Sequence, residues 1–190
     1  EMLFFWDDAG KLTGLVVNLA CTSQETEGLN EVSADFWHDV RAALHTRMGA
    51  DVYVLPQCAA AGDASPHRLY RTKAEDAMTK RRGLSNRQEI ARRIADAVMG
   101  VLPLAKDGLT TSPVFRHVVA RVNLPPAPAT AAPFYTTDAV TPVELHVLRL
   151  GEIAMATNPF ELYLDYGVRI KARSPAVLTM LVQLSCQHCG

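Results

Sequence analysis

Three short segments near the N-terminus constrain the fold most, because their hydrophobic patterns differ in kind. Residues 12–21 (LTGLVVNLAC) and 51–56 (DVYVLP) are apolar runs rich in Val and Leu, as in buried strands. Between them, residues 33–48 carry apolar side chains at helical spacing, namely Phe36, Val40, Leu44 and Met48. A strand, a helix and a strand within about 45 residues form a βαβ unit, which favours a parallel strand pair. The sequence therefore predicts an α/β fold.

The rest of the chain continues this alternation of strands and helices. A helix is predicted over residues 85–101, opened by a capping box of Ser85 and Gln88, and another over residues 160–171. Further strands are predicted over residues 113–123, 143–150, 152–157 and 176–185, with a hairpin turn at Gly151 and a Pro and Ala linker over residues 124–132. We expect a mixed β-sheet core layered with flanking helices.

Composition excludes several classes of protein. The 190 residues are 48% hydrophobic and 21% charged, which is typical of a globular chain. With 19 Lys and Arg against 20 Asp and Glu, no overall field attracts a polyanion, so we expect no nucleic-acid partner. No run approaches the roughly 18 apolar residues of a membrane span, so we expect a soluble chain without a transmembrane segment.

The sequence Gly62-Asp63-Ala64-Ser65-Pro66 is the strongest candidate for chemistry. A serine on a tight loop after a strand can expose its Oγ while backbone amides point at one spot, which suits a nucleophile with an oxyanion site. The alternative is a surface turn in which Asp63 and Ser65 cap local amides. Nothing in the sequence places a histidine beside Ser65 as a base.

Other polar residues give weaker signals. Glu161 follows Asn158-Pro159-Phe160 in the first turn of a predicted helix, where the helix dipole favours a carboxylate in any case. The six histidines show no paired metal-ligand spacing. Residues 186–189 (CQHC) resemble half a zinc knuckle, but no second pair accompanies them, so we expect no metal site there.

Four segments, taken in order, resemble the catalytic domain of the neutral (neutral/alkaline, non-lysosomal) ceramidases. Residues 14–35 are similar to the family's strand, His-containing loop and Ser-Gly-Asp segment. Residues 57–66 are similar to its Gly-Asp-x-Ser-Pro block, and residues 150–173 are similar to its Pro-Gly-Glu segment. Residues 181–190 form the fourth similar segment. The resemblance implies that residues 1–190 are a single partial catalytic domain, with N- and C-terminal portions of the family's domain missing.

The resemblance also implies roles for individual residues. Ser65 matches the family's nucleophile. Glu161 matches its zinc-binding carboxylate, so zinc is the implied cofactor. The candidate substrate-binding residues are Gly62, Asp63, Cys21 and Asp35. Thr22, however, follows Cys21 where the family has a zinc-binding His, and threonine is a poor zinc ligand, so we expect this chain not to bind zinc tightly.

The expected function is ceramidase-like hydrolysis of an amide bond in an N-acylated lipid of the N-acylsphingosine type, or in another N-acyl small molecule. One alternative is a member of the same fold that has lost the metal site and binds lipid or glycan without catalysis. A third hypothesis is a hydrolase with Cys21 as a thiol nucleophile. By resemblance to the family, a secreted or periplasmic location is expected.

Overall fold

A computed structural model describes residues 1–125 and 142–187, and within them the chain is α/β as predicted. The strands are Met2–Trp6 (β1), Leu12–Leu19 (β2), Tyr53–Cys58 (β3), Phe115–Val122 (β4), Val143–Leu150 (β5), Ile153–Thr157 (β6) and Leu178–Val182 (β7). The helices are Phe36–Met48 (α1), Thr72–Arg82 (α2), Asn86–Ala105 (α3) and Leu164–Arg173 (α4). In this described part, no helix is long and apolar enough to cross a membrane.

The N-terminal strands form a mixed sheet in the order β1-β2-β3. The pair β1 and β2 is antiparallel, whereas β2 and β3 are parallel and are joined through α1. This confirms the predicted βαβ unit. Pro56 lies within β3, where it is tolerated because β3 is at the edge of its sheet.

The later strands form a second mixed sheet in the order β4-β5-β6-β7. β4 and β6 are each antiparallel to β5, and β7 is parallel to β6. Gly151 has φ 60° in the turn between β5 and β6. β5 is less buried than a core strand would be, since Val143 is its one buried residue. The predicted strand over residues 143–150 is confirmed, but it is largely half-buried and lies beside β4, which is exposed along its length.

The main hydrophobic core lies between the first sheet and the helices α1 and α3. Helix α1 presents Phe36, Val40 and Leu44 to it, and all three are fully buried. Leu15 of β2 and Val98 of α3 close the same cluster. Full burial of one such side chain contributes about 1.5–3 kcal/mol to the stability of the fold. The buried face of α1, which the helical spacing predicted, therefore holds the helix against the sheet.

The helix ends differ from the predictions in ways that local hydrogen bonds explain. Helix α1 is capped by Asp35, whose carboxylate accepts the Phe36 N–H at 2.7 Å, and Ser33 instead accepts the Asp35 N–H at 3.0 Å. The capping box of α3 is confirmed.

Helix α2 was not predicted, because it is polar on every side and buries Thr79 alone. Helix α4 begins at Leu164, four residues after the predicted start. Most of the predicted linker falls in residues 126–141, outside the described residues.

Candidate active site

The loops that follow β2 and β3 leave the sheet at the same edge, because these strands are parallel and Leu19 pairs with Cys58. The Ala59 N–H donates to the Leu19 carbonyl at 2.9 Å. Farther along, the Thr22 hydroxyl donates to the Ala64 carbonyl at 3.4 Å. The loop carrying Cys21 and the loop carrying Ser65 are therefore in contact.

The second sheet reaches the same edge through buried polar contacts. The Gln183 N–H donates to the Cys58 carbonyl, and the Gln183 side-chain oxygen accepts the Ala61 N–H, both at 3.0 Å. The Asn18 side chain donates to the Leu181 carbonyl at 2.7 Å. Both side chains are buried, so these bonds form away from solvent, where an unpaired amide is costly.

The turn that contains Glu161 packs directly on Gly62. The Gly62 N–H donates to the Leu162 carbonyl at 3.0 Å. A Cβ at position 62 would lie 2.1 Å from the Glu161 carbonyl oxygen, so glycine is required for this close approach. The loops of Cys21, Ser65 and Glu161 thus come together, as expected from open α/β sheets.

Asp63 joins this loop to helix α4. Its Oδ1 accepts the Leu164 N–H at 2.7 Å, which satisfies an amide at the start of α4 from 101 residues away in sequence. In the same helix, Gly167 permits contact with Ala60, because a Cβ there would lie 2.5 Å from the Ala60 Cβ. Gly62 and Asp63 therefore position the loop, and their role in binding substrate stays a prediction.

Ser65 is exposed at the tip of the loop and has a histidine beside it, contrary to the sequence analysis. Its Oγ accepts the His67 N–H at 3.1 Å and also lies 3.1 Å from His67 Nδ1. On the far side of the ring, His67 Nε2 is 3.8 Å from Glu27 Oε1. The spacing Ser-Pro-His carried this signal, because a turn closed by the serine oxygen brings residues two apart together.

Asp35 is buried at the start of α1 and holds the loop before it. Its Oδ2 accepts the Thr26 N–H at 2.8 Å and the Thr26 hydroxyl at 2.7 Å. Burial alone would raise the pKa of the carboxyl, but the hydrogen bonds from Thr26 and Phe36 outweigh burial and hold the pKa below its usual value. With its oxygens engaged by the protein, Asp35 supports the site, and its predicted contact with substrate stays a prediction.

The two cysteines at this edge are protonated thiols at neutral pH. Burial, followed by the nearby Cys58 thiol and the carboxylates of Asp35 and Glu25, raises the pKa of Cys21 to about 11. Burial also raises the pKa of Cys58, with Glu161 adding to the effect. Because the thiolate is the reactive form, this environment argues against Cys21 as a nucleophile.

The described residues do not fit a catalytic zinc, which needs about three protein ligands. Within residues 1–125 and 142–187, no three His, Cys, Asp or Glu side chains are grouped to hold a metal ion. Thr22 directs its hydroxyl at the Ala64 carbonyl, so the position implied for a zinc His supplies a hydrogen-bond donor instead. Glu161 reaches this edge, but alone it is not a metal site. His188 and Cys189 lie outside the described residues.

Ser65 and His67 line an open cleft of about 410 Å³. Its walls carry the cationic side chains of Arg68, Arg71 and Arg93. Acidic and apolar side chains line it as well, including Glu75, Leu69 and Tyr70, so polar and apolar surface contribute about equally. We therefore expect a substrate held next to Ser65 to contact both charged and apolar side chains.

Comparisons with known proteins support the fold. No protein-family model matches the sequence, and no curated protein matches it. A neutral ceramidase from Pseudomonas aeruginosa has a similar structure, with a TM-score of 0.66 and 13% identity over 96% of this chain and 39% of that chain. A ceramidase complexed with C2 gives a TM-score of 0.65 and 13% identity over 96% of this chain and 40% of that chain. The chain thus has a ceramidase-like fold and spans about two fifths of these proteins.

Proposed function

We propose that this chain is part of a ceramidase-like hydrolase that cleaves the amide bond of an N-acylated lipid, with Ser65 as the nucleophile. The observation that carries the proposal is the meeting of the Ser65 loop with the Glu161 turn through Gly62. The ceramidase-like fold and the order of the sequence blocks support the same assignment.

The Ser65 loop has the parts that acyl transfer needs. The Oγ of Ser65 is exposed to an incoming carbonyl. The amides of Asp63 and Ser65 make no hydrogen bond to another described residue, so they are candidates for stabilising the oxyanion. In the proposed reaction, the Oγ–C bond forms and the C–N bond breaks, and water then releases the acid from Ser65.

Zinc has no assigned step in this proposal. We propose Glu161 as a ligand to a metal ion whose other ligands would have to come from outside the described residues, because those residues supply no complete set. The measurement is metal content by mass spectrometry of the purified protein and of Glu161→Gln. With Glu161 as the single candidate ligand among the described residues, we expect less than stoichiometric zinc; stoichiometric zinc that is lost in Glu161→Gln would contradict that expectation and support Glu161 as a ligand.

The test of function is hydrolysis of N-acylsphingosine that carries a fluorescent acyl chain. We expect the wild type to release the labelled acid and Ser65→Ala to lose at least about 1,000-fold in rate, as when a nucleophile is removed. Ser112→Ala, an exposed serine elsewhere in the chain, is the control and should keep full activity. Equal activity in Ser65→Ala and the wild type would contradict the proposal.

A second candidate is a lipid-binding or glycan-binding module without catalysis, which Thr22 favours because it removes the implied zinc His. This candidate predicts that the wild type binds vesicles containing N-acylsphingosine but releases no acid. Binding measured by flotation, together with the hydrolysis assay, separates the two functions.

A further inference from the structure

The side chains of Ser65, His67 and Glu27 form a continuous line on the surface of the candidate site. We propose that His67 is the general base that activates Ser65. Glu27 is the carboxylate that orients the His67 ring and stabilises its positive charge after it accepts the proton. This inference rests on the proposed function in one respect, since it takes Ser65 as the nucleophile. It adds two residues that the sequence blocks shared with ceramidases do not assign.

The hydrogen bonds around Ser65 determine the direction of proton transfer. The His67 N–H donates to the Ser65 Oγ at 3.1 Å, so the hydroxyl hydrogen is left to point elsewhere. His67 Nδ1, also 3.1 Å away, is the acceptor in reach. When Nδ1 accepts, the neutral ring carries its hydrogen on Nε2, which faces Glu27. Nucleophile, base and carboxylate are thus ordered as in serine hydrolases, with the two ring nitrogens exchanged.

Neighbouring residues hold this line in place. Pro66 separates Ser65 from His67 and restricts the backbone of the serine before it to an extended conformation. Glu27 directly follows Thr26, whose amide and hydroxyl are both bound by the buried carboxylate of Asp35. The base and its carboxylate therefore come from two loops, which also touch where the Thr22 hydroxyl donates to the Ala64 carbonyl.

Among the described residues, Glu27 is the carboxylate in ion-pair contact with His67, while Asp63 and Glu75 also line the cleft. Arg68 is paired with Asp76, and Arg93 is paired with Glu89 at 2.9 Å. The Nε2 atom of His67 has its contact with Glu27 at 3.8 Å, an ion-pair distance once the ring is protonated. Because 56% of the Glu27 side chain is exposed, salt should screen this contact.

The chemical step balances without a further reactant. The Ser65 Oγ attacks the acyl carbonyl as His67 Nδ1 takes the hydroxyl proton, and Glu27 stabilises the imidazolium. The C–N bond breaks, and His67 returns the proton to the leaving amine. Water then attacks the acyl-serine ester and gives its proton to His67, which passes that proton to the Ser65 Oγ as the Oγ–C bond breaks and the acid leaves.

The test is the rate at which a fluorophosphonate probe labels Ser65, followed by mass spectrometry of the labelled peptide. The probe forms an Oγ–P bond and expels fluoride, so it reports activation of the serine alone. We expect His67→Gln to slow labelling by about 100-fold or more, the usual range for a general base. His38→Gln, an exposed histidine on α1, should label at the wild-type rate.

Two further variants separate a chemical role from a structural one. In His67→Gly, added imidazole should restore labelling, which would not occur if the variant had merely unfolded. Glu27→Gln should slow labelling only several-fold and remove its dependence on salt, since an exposed ion pair is weak and is screened by dissolved ions. An unlabelled Ser65 in the wild type, or wild-type labelling in His67→Gln, would overturn the inference.

Hydrolysis of N-acylsphingosine then distinguishes this inference from the proposed function. Hydrolysis that requires Ser65 but is unchanged in His67→Gln would support the proposed function and show that His67 is not the general base. Labelling of Ser65 that depends on His67, with no hydrolysis of the lipid, would support the base and show that the proposed substrate is wrong.

Discussion

Replacing Gly62 by alanine tests whether the Ser65 loop and the Glu161 turn are held together as closely as the structure indicates. The new Cβ would lie 2.1 Å from the Glu161 carbonyl oxygen and 2.7 Å from the carbonyl carbon. Both atoms belong to the backbone, so no side-chain rotation can relieve the contact. The two segments would have to separate by at least about 1.3 Å to reach an ordinary van der Waals distance of 3.4 Å.

The expected loss of stability follows from two contributions. Overpacking of this kind typically costs about 1–3 kcal/mol. Separation also stretches the bond from the Gly62 N–H to the Leu162 carbonyl, now 3.0 Å, whose net contribution is about 0.5–1.5 kcal/mol. We therefore expect Gly62→Ala to lower the free energy of unfolding by about 2–4 kcal/mol.

The measurement is urea unfolding followed by tryptophan fluorescence, with Gly100→Ala as the matched control. Gly100 lies inside α3 with no atom within 4 Å of its would-be Cβ, so alanine should raise stability there by up to about 1 kcal/mol. Replacing glycine by alanine should thus lower the free energy of unfolding at position 62 and raise it at position 100. A cost below about 0.5 kcal/mol for Gly62→Ala would refute the reasoning.

Three further predictions concern titratable groups. Hydrogen bonds hold the pKa of Asp35 in the folded protein below its value in the unfolded chain. The ionised carboxylate therefore stabilises the fold above the unfolded-state pKa, and this contribution is lost as pH falls through the folded-state pKa. Asp35→Asn should make the free energy of unfolding, measured by circular dichroism, depend less steeply on pH in acid. The hydrogen bond from Arg92 lowers the pKa of Glu89 to about 2, so the stability that Glu89→Gln removes should be seen at pH 7 and should shrink between pH 4.5 and 2. With its pKa raised to about 11, Cys21 should react slowly with iodoacetamide at pH 7.5 and faster as pH rises, by peptide mass spectrometry; rapid reaction at pH 7.5 would contradict the burial of this thiol.

The parts of the fold that followed from the sequence are those with local signals. The helical spacing of Phe36, Val40 and Leu44 between two apolar runs predicted the βαβ unit, because burial on one face of a helix leaves that periodicity. Ser85 and Gln88 likewise predicted the start of α3, since a capping box involves residues three apart. Helix α2 has no apolar stripe, so hydrophobic periodicity had nothing to detect.

The candidate site was predictable only where its contacts are local or where the sequence resembled ceramidases. Ser65 and Glu161 were selected in this way, but their shared packing through Gly62 joins segments about a hundred residues apart and leaves no mark in spacing. The contact of His67 with Glu27 was missed for the same reason. The bond from the Leu164 amide to Asp63 Oδ1 was likewise not predicted, and the assignment of Asp63 to substrate stays a prediction.

The long separation between the strands that meet at the site has a consequence for the order of folding. The Asn18 side chain binds the Leu181 carbonyl across 163 residues of sequence, and Gln183 closes onto Cys58 and Ala61 beside it. Contacts between distant residues carry a large loop-closure cost and tend to form slowly. The βαβ unit can assemble early, but the Ser65 loop gains its support from the Glu161 turn only after about a hundred further residues have been added. A partly synthesised chain would therefore display the serine before the site around it is complete.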